Sequence, residues 1–166
     1  MIVVSDTSPI TNLAAIEKLD LLHLLYGTIT IPVAVYNELT PAGTDEPVPG
    51  TLEVQTLPWI VTRPVQNTRQ VDEILAAQRH IHLGEAEAIV LALELRSDLL
   101  LMDERRGRAL ATDYQLKVTG LLGVLLQAKH QGAIPAVQPL IDQLIEDAKF
   151  RIESKLYQHF LKLAEE

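Results

Sequence analysis

Ile2-Val3-Val4-Ser5-Asp6-Thr7-Ser8-Pro9 lies at the start of the chain, and its reading decides the fold. Ile2, Val3 and Val4 form an unbroken apolar, β-branched run, the composition of a strand buried on both faces of a parallel sheet. The run stops at Asp6. Ser8 has the chemistry of an N-cap and Pro9 that of a first helical residue, so a helix is expected through about Ile16. Asp6 is thereby placed on a strand-to-helix turn.

The same alternation continues outward. A short helix is expected over residues 19–25, a strand over 28–31, and then a helix opened by Pro32 that carries Glu38 and ends near Pro41. Pro41, Gly43, Pro47, Pro49, Gly50 and Pro58 mark a surface excursion over 41–58, with room for a turn of helix and bordering the site. Beyond it the pattern predicts a strand at 59–62, a helix at 71–79, a long helix at 84–96 and an apolar strand at 99–102 closed by Asp103. A helix at 104–114, a strand at 116–119 and helices at 120–131, 137–149 and 152–164 complete the chain. Short apolar strands alternating with helices predict a three-layer α/β/α fold on a parallel sheet of four to five strands, with ligands at the strands' carboxyl ends.

A chain of 166 residues with 48% apolar content fits one domain. Its C-terminal helices, about 135–166, are expected to pack on that domain or form an interface, through a stripe of Leu156, Phe160 and Leu163. No run reaches the ~18 apolar residues of a membrane span, and the N-terminus lacks signal-peptide features, so a cytoplasmic location is expected. Having no cysteine excludes thiolate chemistry, and the five histidines include no helical pair at zinc spacing. His80 and His82 read as solvated loop residues. A net charge of −8 argues against indiscriminate nucleic-acid binding. Only residues 96–130 carry a basic surplus, +2, directly after Asp103. There Arg105, Arg106 and Arg108 are either a phosphate-binding cluster or an ordinary exposed helix face.

Four acids fall where such a fold brings helix starts and strand ends together: Asp6, Glu38, Glu85 and Asp103. In a β-α-β unit the helix start and the end of the following strand share one sheet edge, which places Asp6, Glu85 and Asp103 together. Glu38, more than a turn into its helix, converges on weaker grounds. Glu87, Glu94 and Asp98 share a different stripe of the long helix, expected to be solvated, whereas Glu85 lies on the side of Ala88, Ile89 and Ala92. Each acid alone has an ordinary explanation as a turn, cap or dipole residue. Jointly they suit a divalent cation held by oxygen. Glu104 is read as pointing elsewhere and Asp113 as lying at the far end of its helix, so neither is expected to be a ligand. Thr7, Ser8 and Asn12 are placed to hydrogen-bond the acids or their waters.

The stretches IVVSDTSP, IPVAVYNEL, LGEAEAIVLALEL and LLLMDERRGR, with VTGLLGVLL and the tail FRIESKLY, resemble the PIN-domain family, particularly its VapC-like toxins and a related prokaryotic subfamily. The resemblance spans nearly the whole chain. It implies a Mg2+- or Mn2+-dependent ribonuclease cutting single-stranded RNA with metal-activated water. Asp6 and Asp103 would coordinate the metal, Glu85 would do so directly or through water, and Glu38 would orient a water or act as base. It also implies single-stranded RNA, an antitoxin protein and a second copy of the chain as partners. Many relatives have Asp where Glu85 stands, and some have a further acid where Arg106 stands. A non-catalytic PIN-like binding module is the alternative. Phosphoaspartate domains fit worse, since Ser8 occupies the second acid of one type and Val4-Ser5 the paired acids of the other.

Overall fold

The computed structural model describes residues 1–43 and 47–166. Five parallel strands form one sheet: β1 (Val3–Ser5), β2 (Ile29–Pro32), β3 (Ile60–Arg63), β4 (Leu99–Leu101) and β5 (Val118–Thr119), in the order β3-β2-β1-β4-β5. Val3 lies beside both Ile29 and Leu99, and Ser5 beside Leu101, so the first strand is central. Successive strand side chains alternate between faces. Val3, Ile29, Ile31, Leu99 and Leu101 enter the larger core, whereas Val4, Leu100 and Met102 enter the smaller one.

Helices cover both faces, the expected three-layer arrangement. The larger core takes Ile10 and Leu13 of α1 (Thr7–Ala15), Leu21 and Leu22 of α2 (Asp20–Tyr26) and Val35 and Leu39 of α3 (Val33–Leu39). Helix α4 is Thr51–Thr56. The smaller core is built on α5 (Thr68–Ala77), α6 (Leu83–Glu94) and α7 (Arg105–Asp113). Leu121, Val124 and Leu125 of α8 (Leu121–His130), with Leu140, Ile141 and Leu144 of α9 (Gln138–Asp147), return to the larger core. In α10 (Ser154–Leu163), Tyr157, Phe160, Leu161 and the following Ala164 pack inward, while Leu156 and Leu163 are 43% and 46% exposed. Of the predicted stripe, only Phe160 packs inward.

Three other local expectations are corrected. Helix α1 starts at Thr7, with Asp6 rather than Ser8 in the N-cap position and no side-chain capping bond. Pro9 is its third residue, tolerated because the first four helical N–H groups have no intrahelical acceptor. The excursion contains α4, and its described residues are mostly exposed as expected, with Gly50 and Val54 anchoring it: a Cβ on Gly50 would lie 3.2 Å from both Ile10 and Leu39. They do not line the acidic cleft described below, and residues 44–46 of the predicted excursion lie outside the described residues. Lastly, the Glu87–Glu94–Asp98 stripe binds backbone rather than water alone. Glu87 accepts from the Ala34 N–H at 3.0 Å, Glu94 from Gln66 and Asn67, and Asp98 from Ile2 at 2.6 Å. These carboxylates satisfy N–H groups at the starts of α3, the α5 approach and β1.

Candidate functional site

The carboxyl edge of the sheet gathers acids from four elements. The Asp6 N–H donates to the Leu101 carbonyl at 2.9 Å, extending the β1–β4 pairing and fixing Asp6 beside the end of β4. Glu85 is the third residue of α6 and Glu38 lies near the end of α3. Asp6, Glu38, Glu85 and Glu104 line one open cleft of about 560 Å³ together with Thr7, Ser8, His80, His82 and Arg106.

Asp6 and Glu85 are buried, at 5% and 6% exposure. Burial pushes the Asp6 carboxyl up to about 7; the Thr7 N–H opposes this, and Glu85, Glu38 and Asp103 reinforce it. Glu85 is also raised, first by burial and further by Glu104 and Glu38, against the lowering effect of the His82 N–H. That N–H donates to Glu85 Oε1 at 3.2 Å, while Glu85 Oε2 is buried without a partner. Glu38 Oε2 accepts from the Thr7 hydroxyl at 2.5 Å. Asp103 Oδ1 accepts from the Leu121 N–H at 2.6 Å, and its Oδ2 is buried and unpartnered. Burial raises Asp103 too, moderated by the Leu121 N–H and Arg108.

A buried, unpaired carboxylate oxygen is costly, and mutually repelling acids compound the cost unless a cation joins them. The donors here are all oxygen, as Mg2+ or Mn2+ prefers, and the ion pairs among the described residues, Arg69–Glu73 and Lys129–Glu166, neutralise none of them. The donor chemistry therefore fits a divalent cation. Among the described residues, however, no three acidic or histidine side chains stand close enough to hold one as they are placed.

Three glycines give these acids their room. A Cβ on Gly84 would lie 2.5 Å from Glu38 Oε1, one on Gly107 2.6 Å from Glu85 Oε2 and Met102 Sδ, and one on Gly120 2.9 Å from Asp103 Oδ1. Glu38 is exposed and can swing away, whereas Glu85 and Met102 are buried. Gly107→Ala is thus expected to lower stability by about 1–3 kcal/mol, the usual range for overpacking, and Gly84→Ala by much less. Urea unfolding of the two variants checks the order; equal losses would refute the packing assignment.

A family model described as a PIN domain matches residues 2–166, essentially the whole chain. The chain belongs to the PIN-domain family. No curated protein matches it. PIN domains are generally nucleases and typically use divalent metals, in keeping with acids at this edge.

In this PIN domain the expected acids fall into two groups. Asp6, Glu38 and Glu85 share the cleft, while Asp103 lies beside it, lining two adjoining cavities instead. Glu104, read from sequence as pointing away, lines the cleft. The reason is parity: in the extended segment after β4, Asp103 follows Leu101 toward the α8 side and Glu104 follows Met102 toward α6. The alternation Leu100-Leu101-Met102 was the available signal. His80 and His82 are exposed as expected, yet they line the cleft as well. The arginines separate: Arg106 lines the cleft, Arg108 a cavity beside Asp103, and Arg105 neither. Thr7 bonds Glu38, Ser8 lies between the cleft and a neighbouring cavity, and Asn12 lines only the latter.

Proposed function

We propose that this PIN domain is a metal-dependent endoribonuclease that hydrolyses phosphodiester bonds of single-stranded RNA using Mg2+ or Mn2+. The observation that carries the reading is the partnerless buried oxygen on Glu85 beside an Asp6 carboxyl pushed up to about 7. A bound divalent cation would supply positive charge for the phosphate and activate a water. Asp6 and Glu85 would hold it, with Asp103 completing the set after a side-chain adjustment and Glu104 available from the rim. Glu38, oriented by the Thr7 hydroxyl, suits the role of accepting a proton from water or orienting it. Arg106 suits a substrate phosphate. The likeness to VapC toxins extends the proposal to a toxin role with an antitoxin partner and to a homodimer acting in the cytoplasm.

A second reading, a non-catalytic PIN module, is favoured by the lack of any three-ligand grouping among the described residues. Calorimetric titration of chelator-stripped protein with Mn2+, followed by assay on a fluorescent single-stranded RNA, separates the two. The nuclease reading expects binding, its loss in Asp6→Asn and weakening in Asp103→Asn, and cleavage only with metal. Absence of both binding and cleavage in the wild type would overturn it.

A further inference from the structure

We propose that the Lys149-Phe150-Arg151 segment, together with Arg108, binds the incoming single strand of RNA and leads it to the acidic cleft. The inference rests on the nuclease reading for its substrate class. Two cavities, of about 380 and 400 Å³, lie on the side of Asp103 away from Glu85 and share Asp103, Phe150 and Arg151 as walls. The first also shares Ser8 and Glu104 with the acidic cleft, so the three openings form one path along the carboxyl edge of the sheet.

The path changes character along its length. The cleft is walled by four acids with Arg106 as its one basic residue other than the histidines, whereas Lys149 lines the middle cavity, Arg108 the far one and Arg151 both. All three cations are exposed, and the ion pairs among the described residues, Arg69–Glu73 and Lys129–Glu166, use none of them. In a protein of net charge −8, cations that converge on one groove from α7 and from the α9–α10 connection make a local exception, with Arg108 beside Asp103 and with Asp103 and Glu104 as the acids that share its walls. Phe150 walls both cavities, and Phe160 adds a second ring to the far one. Alternating cations and aromatic rings suit a single strand, whose phosphates pair with the cations while its bases stack. The acidic cleft repels phosphate until a cation fills it, so anchorage beside it is what a strand needs.

Lys149 has φ +53°, so Lys149→Gly removes the charge at a conformation glycine adopts freely, and Arg151→Ala removes an exposed side chain. The probe is a labelled oligouridylate in EDTA, so that no cleavage occurs, titrated at several salt concentrations against wild type and the double variant. The expected result is about tenfold weaker binding and a log–log salt slope smaller by roughly 1.4, two lost phosphates at ~0.7 each for single strands. Lys155→Ala with Lys162→Ala, a charge-matched pair on α10, should leave both unchanged. Phe150→Leu should weaken binding while leaving the salt slope unaltered. Equal binding by wild type and the double variant, or no binding by wild type, overturns the inference. So does a loss of dimer in the double variant with oligonucleotide affinity intact, which would make the face a subunit interface. Mn2+ calorimetry keeps the two readings apart. A wild type that binds oligouridylate through these residues but takes up no Mn2+ upholds this inference and defeats the nuclease reading. Mn2+-dependent cleavage with unchanged KM in the double variant does the reverse.

Discussion

Asp6→Asn is expected to make the metal-free protein more stable and to abolish the proposed nuclease activity. At pH 8 the wild-type Asp6 is ionised in a buried position facing three other acids, with its carboxyl pushed up to about 7 from an ordinary 3.8. That displacement corresponds to an unfavourable contribution of up to about 4 kcal/mol, at 1.36 kcal/mol per unit. Asparagine keeps the shape and the Thr7 N–H acceptor but carries no charge, and its amide can donate to neighbouring carboxylates. A gain of about 2–4 kcal/mol follows, or roughly 5–12 °C in Tm for a chain of this length. On the proposed nuclease reading the same substitution removes a direct metal donor. Cleavage should fall by more than the ~10–100-fold typical of losing an outer partner of a metal site, and Mn2+ should no longer raise the Tm. Differential scanning calorimetry with and without Mn2+ reads both halves. A destabilised metal-free variant would show that Asp6 is a structural acid, and the metal argument would lose its foundation.

Opposed responses of that kind mark a site kept at the expense of the fold, and the sequence carried part of that signal. Asp6 was legible because an unbroken β-branched run has to end somewhere, and an acid directly after a doubly buried strand has no ordinary packing role. Glu85 was legible from its angular position on α6, among alanines and Ile89 where an apolar residue belongs. Asp103 was placed on the correct edge, but its side chain was not. One residue of parity in the extended stretch after β4 decides whether Asp103 or Glu104 meets Glu85, and the alternation of Leu100, Leu101 and Met102 sets that parity only because the backbone stays extended past the end of the strand. The histidines posed a different difficulty. His80 and His82 are exposed, as polar loop residues should be, and only the course of the chain before α6 brings them over the cleft.

The C-terminal half of the path was legible only as family resemblance. Phe150 and Arg151 open the stretch FRIESKLY, but nothing in it or in Lys149 pointed to the site, and these residues adjoin Ser8 and Asn12 only because α9 packs back against the first helix layer. The glycines illustrate the same limit. Gly84, Gly107 and Gly120 read as unremarkable residues near helix starts, and their use as space for carboxylates emerges only when α6, α7 and α8 converge. By contrast, the sheet was readable nearly strand by strand. Each strand is a short local run whose identity depends on its own residues, and parallel order follows from the helical crossovers between them.

The loss of stability with rising pH should be offset when metal is added. In the metal-free protein the folded Asp6 holds its proton to about 7, whereas the unfolded chain releases it near 3.8. Between those values the folded state binds more protons, so stability must fall as pH rises through the window and level off above about 7. Glu85 and Asp103, both raised chiefly by burial, add to the same slope. A divalent cation requires these carboxylates ionised, so the stabilisation it provides is absent near pH 5 and grows across the same interval. At a Mn2+ concentration about 100 times its dissociation constant the gain is on the order of 2.7 kcal/mol. Urea unfolding curves with and without Mn2+ should therefore nearly coincide at pH 5 and separate steadily to pH 8, the metal-free series losing stability that the other largely keeps. If the metal-free series stays level from pH 5 to pH 8, Asp6 is ionised throughout, and the buried acids are neutralised by something other than a divalent cation.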